Sequence, residues 1–318
     1  MNKSALIIGI SGQDGAFLAQ LLLAKGYSVW GTSRDAQGSQ FHNLERLAIK
    51  QHVQLISMSP EDFRSVFVAF QKSMPDEVYF LAGQSSVGLS FDLPAETIQS
   101  FTIGALNILE ACRMVDRPIR FYNAGSSECF GDTGGTPANE NTAFSPRSPY
   151  AVAKASSHWL VNNYREAYSL YACTGILFNH ESHLRPKRFV TQKIIAGAMC
   201  IAEGKQDKLE LGRLDIARDW GWAPDYVEAM WLMLQQDKAD DFVIATGDTH
   251  TLAEFVDCAF SHFNLRWQDY VVQNKAFFRP TDITVNRADA KKANDLLGWK
   301  ASKKMCDVVS AMIENFHC

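Results

Sequence analysis

The sequence predicts an α/β fold with a mostly parallel sheet, followed after about residue 180 by a smaller portion of different character. Three observations carry this. The apolar run Ala5-Leu6-Ile7-Ile8 leads through glycines into Phe17-Leu18-Ala19-Gln20-Leu21-Leu22-Leu23, which reads as strand, turn and helix. Further strand-like runs then alternate with helical stretches, the arrangement that crossover-linked parallel strands require. Beyond residue 180 charged turns multiply and Pro186, Pro224 and Pro280 punctuate the chain.

The elements follow in order. Gly26 ends the first helix, and Ser28-Val29-Trp30-Gly31-Thr32 reads as the second strand. Val53-Gln54-Leu55-Ile56 and Glu77-Val78-Tyr79-Phe80-Leu81 are the next two strands, and Arg120-Phe121-Tyr122-Asn123-Ala124 is another. Helical patterns cover 102–112, 150–169 and 191–203. In the last portion, 225–236 is a helical run rich in Trp and Met, 251–263 is opened by a cap at Thr251, and 289–298 is closed by Gly298. The expected division is residues 1–180 for the first domain, which also receives a later segment at about 212–250, and 181–318 for the second. The boundary is therefore discontinuous. No internal repeat is present.

Composition narrows the function classes. The chain has 318 residues, 47% hydrophobic and 21% charged, enough apolar material for a sizeable core. Its 31 basic residues against 35 acidic ones make nucleic acid a poor partner. Seven scattered cysteines, odd in number and without a CxxC pair, argue against a disulfide framework and for a reducing compartment. Only six apolar or glycine residues precede Ser11, too few for a signal peptide, and no 18-residue apolar run occurs, so no membrane is expected and the cytoplasm is the expected location.

Gly9-Ile10-Ser11-Gly12-Gln13-Asp14-Gly15 stands directly after the first strand and opens a helix. A tight turn there aims backbone N–H groups at a pyrophosphate, which makes the fold a Rossmann-type doubly wound sheet and the cofactor a nicotinamide dinucleotide. The reading sets Asp14 away from the phosphate, where like charges would meet, and gives it a capping role. Arg34 follows the second strand, where a guanidinium pairs with a 2′-phosphate. Ser33-Arg34 therefore favours NADP over NAD, although Asp35 beside it blurs the choice.

Tyr150-Ala151-Val152-Ala153-Lys154 puts a phenol and an ammonium at i,i+4 on one helix face. The lysine is expected to lower the tyrosine pKa, so that the phenol can take a proton from an alcohol while hydride leaves the same carbon. Ser126 follows the 120–124 strand and can hold the reacting hydroxyl. Glu128 adds what simple alcohol oxidation does not need: a base for the acidified proton beside a new ketone, and hence an elimination. Gln84, Ser85 and Ser86 follow another strand end, as does Asn179-His180-Glu181. His180, Glu181 and His183 lack metal-ligand spacing, so no metal is expected. Arg185, Lys193, Arg218 and Arg279 offer charge for the diphosphate of a nucleotide-sugar. Trp220, Trp222, Trp231, Met230 and Met233 are read as core or interface.

These residues resemble the extended short-chain dehydrogenase/reductases and, within them, the GDP-mannose 4,6-dehydratase family. The similar stretches include Gly12-Gln13-Asp14-Gly15, Ala82-Gly83-Gln84-Ser85, Ser127-Glu128, Pro146-Arg147-Ser148-Pro149-Tyr150, residues 175–182 (GILFNHES), Phe189-Val190-Thr191, Arg218-Asp219-Trp220-Gly221 and Arg279-Pro280-Thr281. The resemblance spans nearly the whole chain and implies a smaller mixed α/β substrate domain at the C-terminal end. It implies an NADP that is reduced and reoxidised in one turnover, with C4 oxidised through Tyr150 and Lys154, the C5 proton taken by Glu128, water leaving C6 and hydride returning there. It places Gly12, Arg34, Gln84, Tyr150, Lys154, Leu177, Asn179 and Arg185 at the cofactor, where Gly9, Gln13, Asp14, Gly15, Leu81, Ala82 and His180 are candidates beside them. A GDP-sugar falls to Asn179, Val190, Arg218 and Arg279, with Ser85, Ser86 and Lys193 as further candidates, and the chain is expected to form a homo-oligomer, dimer or tetramer.

The pattern is not followed throughout. Ser126 replaces the usual threonine, Asp35 a second arginine, Arg188 an asparagine and Gln192 an arginine. Met58-Ser59-Pro60 stands for a Gly-Asp-Leu that reads adenine. A dehydratase for another GDP-hexose or a GDP-heptose, and a sibling 4-keto-sugar reductase or epimerase, stay open at this point, as does a non-catalytic dinucleotide-binding protein.

Overall fold

A computed structural model describes residues 2–316. The strands are β1 (Ser4–Ile8), β2 (Ser28–Ser33), β3 (Gln54–Ser57), β4 (Glu77–Phe80), β5 (Arg120–Ala124), β6 (Tyr171–Leu177), β7 (Asn179–Glu181), β8 (Leu209–Leu211), β9 (Ala217–Trp222), β10 (Phe242–Ile244), β11 (Thr249–Thr251) and β12 (Val271–Gln273). The helices are α1 (Gln13–Ala24), α2 (His42–Arg46), α3 (Phe63–Ser73), α4 (Val87–Asp92), α5 (Pro94–Ile98), α6 (Gly104–Met114), α7 (Pro149–Tyr168), α8 (Val190–Ala202), α9 (Ala223–Met233), α10 (Leu252–Ser261), α11 (Lys291–Leu297) and α12 (Met305–Glu314).

Seven strands form the main sheet in the order β10-β6-β5-β4-β1-β2-β3, every pair parallel. The order reverses beside β1, which is where an open α/β sheet makes its crevice. β1 explains itself: Ala5, Leu6, Ile7 and Ile8 are all fully buried, because helices cover both faces. One face packs Ala5 and Ile7 with α1 and α9; the other packs Leu6 and Ile8 with α3 and α6. A separate core, built from Ile194, Leu209, Trp220, Phe255 and Val308 among others, lies in the later segments. β7, β9 and β11 form a three-stranded sheet and β8 pairs with β12, while α9 and β10 return to the main sheet.

Local signals set the helix ends. Gly26, at φ +82°, takes the left-handed conformation after α1 that only glycine adopts without strain. Ser148 caps α7 by accepting from the Ala151 N–H at 3.1 Å, and Pro149 opens the helix. Thr251 and Glu254 form a reciprocal capping box on α10. α9 begins at Ala223, two residues earlier than the pattern suggested, because Pro224 suits a first turn. The helical run expected from Thr102 contains a π-turn, Gln99–Ile103, before α6.

The cysteines require a correction. The structure joins Cys258 of α10 to Cys306 of α12, with Cα atoms 5.9 Å apart. Spacing in the sequence could not show that two helices 48 residues apart lie side by side. Cys112, Cys129, Cys173 and Cys200 are free, and Cys318 lies outside the described residues. Trp220, Trp222, Met230 and Met233 are buried in the cores as expected, and Trp231 packs at the edge of one with Lys25 over its ring. Among the described residues no helix is long and apolar enough to cross a membrane.

Candidate active site

A groove of about 340 Å³ runs over the strand ends of β1, β2 and β4. Gly9, Gly12, Gln13, Asp14 and Gly15 form its floor, and Arg34, Leu81, Ala82 and Arg185 stand on its walls. The three glycines do different things. A Cβ on Gly9 would come 2.7 Å from the Ala82 nitrogen, and one on Gly15 2.4 Å from the Gly9 carbonyl oxygen; both glycines permit close packing of backbone. A Cβ on Gly12 would meet only the Gly9 oxygen at 3.4 Å, and so would point into open groove. No side chain caps α1 at Gly12. The free N–H groups and positive end of that helix therefore face the groove, a donor set that fits a dinucleotide pyrophosphate.

Asp14 lines the groove but its carboxylate turns elsewhere. His180 Nε2 lies 2.9 Å from it and the Gln13 amide donates at 2.9 Å. Burial would raise this carboxyl; the charge and hydrogen bond of His180, with Gln13 and Arg185, outweigh burial and hold it at about 2. Asp14 thus pairs with His180 where a helix cap was expected. Asp35 also turns away: one carboxylate oxygen accepts from the Gln37 and Gly38 N–H groups at 3.0 and 2.8 Å, closing its own loop. Asp62 caps α3 through the Arg64 N–H.

A second cavity, about 430 Å³, adjoins the groove and shares Asp14, Leu81, Ser85 and Arg185 with it. Ser126, Glu128, Tyr150 and Lys154 all line it, as do Leu177, Asn179 and His180. The end of β5 delivers Ser126, and a short 3₁₀ turn, Ser127–Phe130, delivers Glu128. The Ser126 hydroxyl accepts from the Glu128 N–H at 3.3 Å. Tyr150 sits in the first turn of α7 with Lys154 one turn on.

The electrostatics correct one expectation. Burial drives Tyr150 well above its ordinary value, against the opposite pull of the Ser126 hydroxyl. Lys154 does not outweigh burial, because its Nζ donates to the Ala124 carbonyl at 2.7 Å and stands 5.9 Å from the Tyr150 ring. Burial pushes Lys154 down to about 8. Phe101, carried by the π-turn, packs edge-on to Tyr150 at 5.5 Å and beneath Lys154 at 4.0 Å. The sequence reading missed Phe101: an apolar residue in a helical run carries no local sign that it walls a cavity.

Ser85, Ser86, Val190, Lys193, Arg218 and Arg279 also line the cavity. Gln84 is the exception among the candidates. It lines neither cavity, and its amide donates to the Ser86 carbonyl at 2.9 Å. Arg218 is buried, bonded to the carbonyls of Ala217 and Ile283 and to Asp282 at 3.0 Å. Burial lowers it, against the favourable charges of Glu128 and Asp282. Arg279 shares Asp282 at 3.6 Å. Arg185 pairs with Glu181 at 3.1 Å and lies over Phe189. Arg188 and Asp282, neither assigned from sequence, belong to the same wall. Gln192 is buried and donates to the Ser182 carbonyl. Among the described residues no cluster of three or more His, Cys, Asp or Glu is placed to hold a metal.

A doubly wound parallel sheet with this glycine turn, and a tyrosine, lysine and serine gathered at its strand ends, defines an extended short-chain dehydrogenase/reductase. The acidic residue and the arginines in the same cavity narrow the class further. The chain belongs to the GDP-mannose 4,6 dehydratase family, whose model matches residues 6–312. It is 46% identical over 328 residues to GDP-mannose 4,6 dehydratase 1 of Arabidopsis thaliana, covering 98% of this chain and 89% of that protein. Two solved structures share the fold. The dTDP-glucose 4,6-dehydratase of Bacillus anthracis, in complex with NAD, has a TM-score of 0.84 at 17% identity over 98% of this chain and 97% of that one. RMD from Pseudomonas aeruginosa, complexed with NADPH, has a TM-score of 0.79 at 22% identity over 98% and 97%.

Proposed function

We propose that this protein converts GDP-mannose to GDP-4-keto-6-deoxymannose by removing water across C5 and C6. The observation that carries the reading is the presence of Glu128 in one cavity with Tyr150, Lys154 and Ser126, beside Arg218 and Arg279. A carboxylate adds nothing to a simple alcohol oxidation, but removal of a proton next to a ketone requires a base.

The roles follow from chemistry at stated atoms. Tyr150, as the phenolate, accepts the proton of the C4 hydroxyl, whose oxygen Ser126 holds. Lys154 supplies positive charge near the phenol. Glu128 takes the C5 proton, which the C4 ketone has made acidic, and passes it to the departing C6 hydroxyl, which leaves as water. Arg218 and Arg279, with Lys193, meet the diphosphate of the sugar nucleotide, and Ser85, Ser86, Asn179 and Val190 border the sugar. The Gly9–Gly15 turn, Arg34, Leu81, Ala82, Leu177, Asn179 and Arg185 would hold NADP, which when bound supplies the hydride acceptor for C4 and the hydride donor for C6. NADP is preferred over NAD because Arg34 stands on the groove wall while Asp35 is committed to its own loop. A homo-oligomer is supported by the exposed apolar side chains of α6 and α7, Met114, Val152, Trp159 and Tyr168.

The test is incubation of the purified protein with GDP-mannose, followed by product mass. Loss of one water with no net NADPH formation is expected. Glu128→Gln should bind sugar nucleotide normally and lose about 10²–10⁴-fold in elimination rate. An unchanged mass would overturn the substrate, and ordinary turnover by Glu128→Gln would overturn its role.

A further inference from the structure

Glu128 stands on a single 3₁₀ turn, a short element whose hydrogen bonds are poorer in geometry than those of an α-helix. Within the turn the Ser126 hydroxyl takes the Glu128 N–H, the Ser126 carbonyl takes the Cys129 N–H at 3.1 Å and the Glu128 carbonyl takes the Gly131 N–H at 3.2 Å, and the Ser145 N–H donates to the Cys129 carbonyl at 2.9 Å. A side-chain hydrogen bond also reaches the turn from far along the chain. Asn286 Nδ2 donates to Ser127 Oγ at 2.9 Å, 159 residues away, and both groups are buried. The segment that carries Asn286 is itself held firmly. The Asn286 N–H donates to the Ala217 carbonyl at 3.0 Å, and the Ala217 N–H donates to Thr284 at 2.8 Å. Further on, the Asp289 N–H and the Arg287 carbonyl bond Ala138. The same segment carries Asp282 and the Ile283 carbonyl, which hold the Arg218 guanidinium. One strap, residues 282–286, therefore grips the arginine and the turn bearing the carboxylate.

We propose that Asn286 is a positioning residue for Glu128, and that the strap 282–286 sets the carboxylate in register with Arg218. The inference rests on the dehydratase reading. A side chain that only filled space would not need an amide aimed at the residue next to the base. Removing the amide leaves a buried hydroxyl without its partner and frees the turn to shift, so elimination suffers, while oxidation at C4 is kept by Tyr150 and Lys154 on α7 and by Ser126, whose neighbour Gly125 is tied to the sheet through the Gly175 carbonyl at 2.8 Å.

The experiment compares Asn286→Leu, Ser127→Ala and the double variant with the wild type, and Asn286→Gln as the conservative change. Reduced-nicotinamide absorbance in a single turnover follows C4 oxidation; product mass follows water loss. The expected result is elimination slowed about ten-fold in each single variant, KM within about two-fold of wild type, and a double variant no slower than the worse single one. Reduced nicotinamide should form at the wild-type rate and persist, and Asn286→Gln should recover most of the elimination. Should Asn286→Leu fail to fold, Ser127→Ala breaks the same bond from the other side and carries the test. Equal slowing of both steps, or additive losses in the double variant, would overturn the inference. A wild type that dehydrates GDP-mannose while the single variants match it overturns this inference alone. A wild type that removes no water from GDP-mannose overturns the dehydratase reading, and this one with it.

Discussion

Replacing Asp14 by Asn removes one charge from a buried pair and leaves the shape unchanged. In the folded protein the Asp14 carboxyl sits at about 2 against an ordinary 3.8, a gap worth roughly 2 kcal/mol. The groups facing His180 are Asp14 at 2.9 Å, Arg185, whose charge opposes protonation, the Phe178 carbonyl and the stacked Tyr226 ring. Burial would lower the imidazole, and Asp14 more than reverses this, so His180 is raised. The signs then follow. A lowered acid gives stability that is present above pH 3.8 and lost as pH falls toward about 2; a raised histidine gives stability that is present below 6.5 and lost as pH rises through its folded value. Both describe one interaction, so the energy counts once. Urea unfolding of wild type and Asp14→Asn at several pH values should show a difference of roughly 2 kcal/mol between about pH 4 and 6.5, shrinking on either side. The His180 ring resonances should titrate at lower pH in the variant. A difference independent of pH, or an unmoved histidine titration, would refute the reasoning.

The glycines of the first turn should separate stability from binding. Gly15→Ala forces a Cβ to 2.4 Å from a carbonyl oxygen and should lower the unfolding free energy by about 1–3 kcal/mol, whereas Gly12→Ala should unfold normally yet bind dinucleotide more weakly, as read by thermal melting and fluorescence titration. Lys154, held at about 8 by burial, should make kcat/KM fall as pH rises through that value. In Lys154→Arg, where the guanidinium stays charged, that falling limb should vanish even though the rate drops; an unchanged limb would assign it to another group.

Much of the site was legible because its signals are local. A glycine turn after a buried strand, Ser148-Pro149 opening the helix of Tyr150 and Lys154, and Glu128 just past a strand end are each written within a few residues, and the structure gathers all of them at the strand ends. Family membership was likewise legible from motifs along most of the chain. The misreadings share a cause. The effect of Lys154 on Tyr150 was inferred from helix spacing alone, but the Ala124 carbonyl and the depth of burial decide it. The role of Asp14 depends on His180, 166 residues away. Asn286 finds Ser127, and Cys258 finds Cys306, only because the later segments fold back onto the sheet and one another.

Propensity, capping and i,i+4 geometry act over one or two turns, so the sequence by itself determined the elements, the glycine turn and the pairing of Tyr150 with Lys154 on one helix face. Burial and long-range partners act through space. They depend on every element that packs nearby, and so only the tertiary structure decided which charges are paired, which pKa values move and which distant residue bonds the turn that carries Glu128.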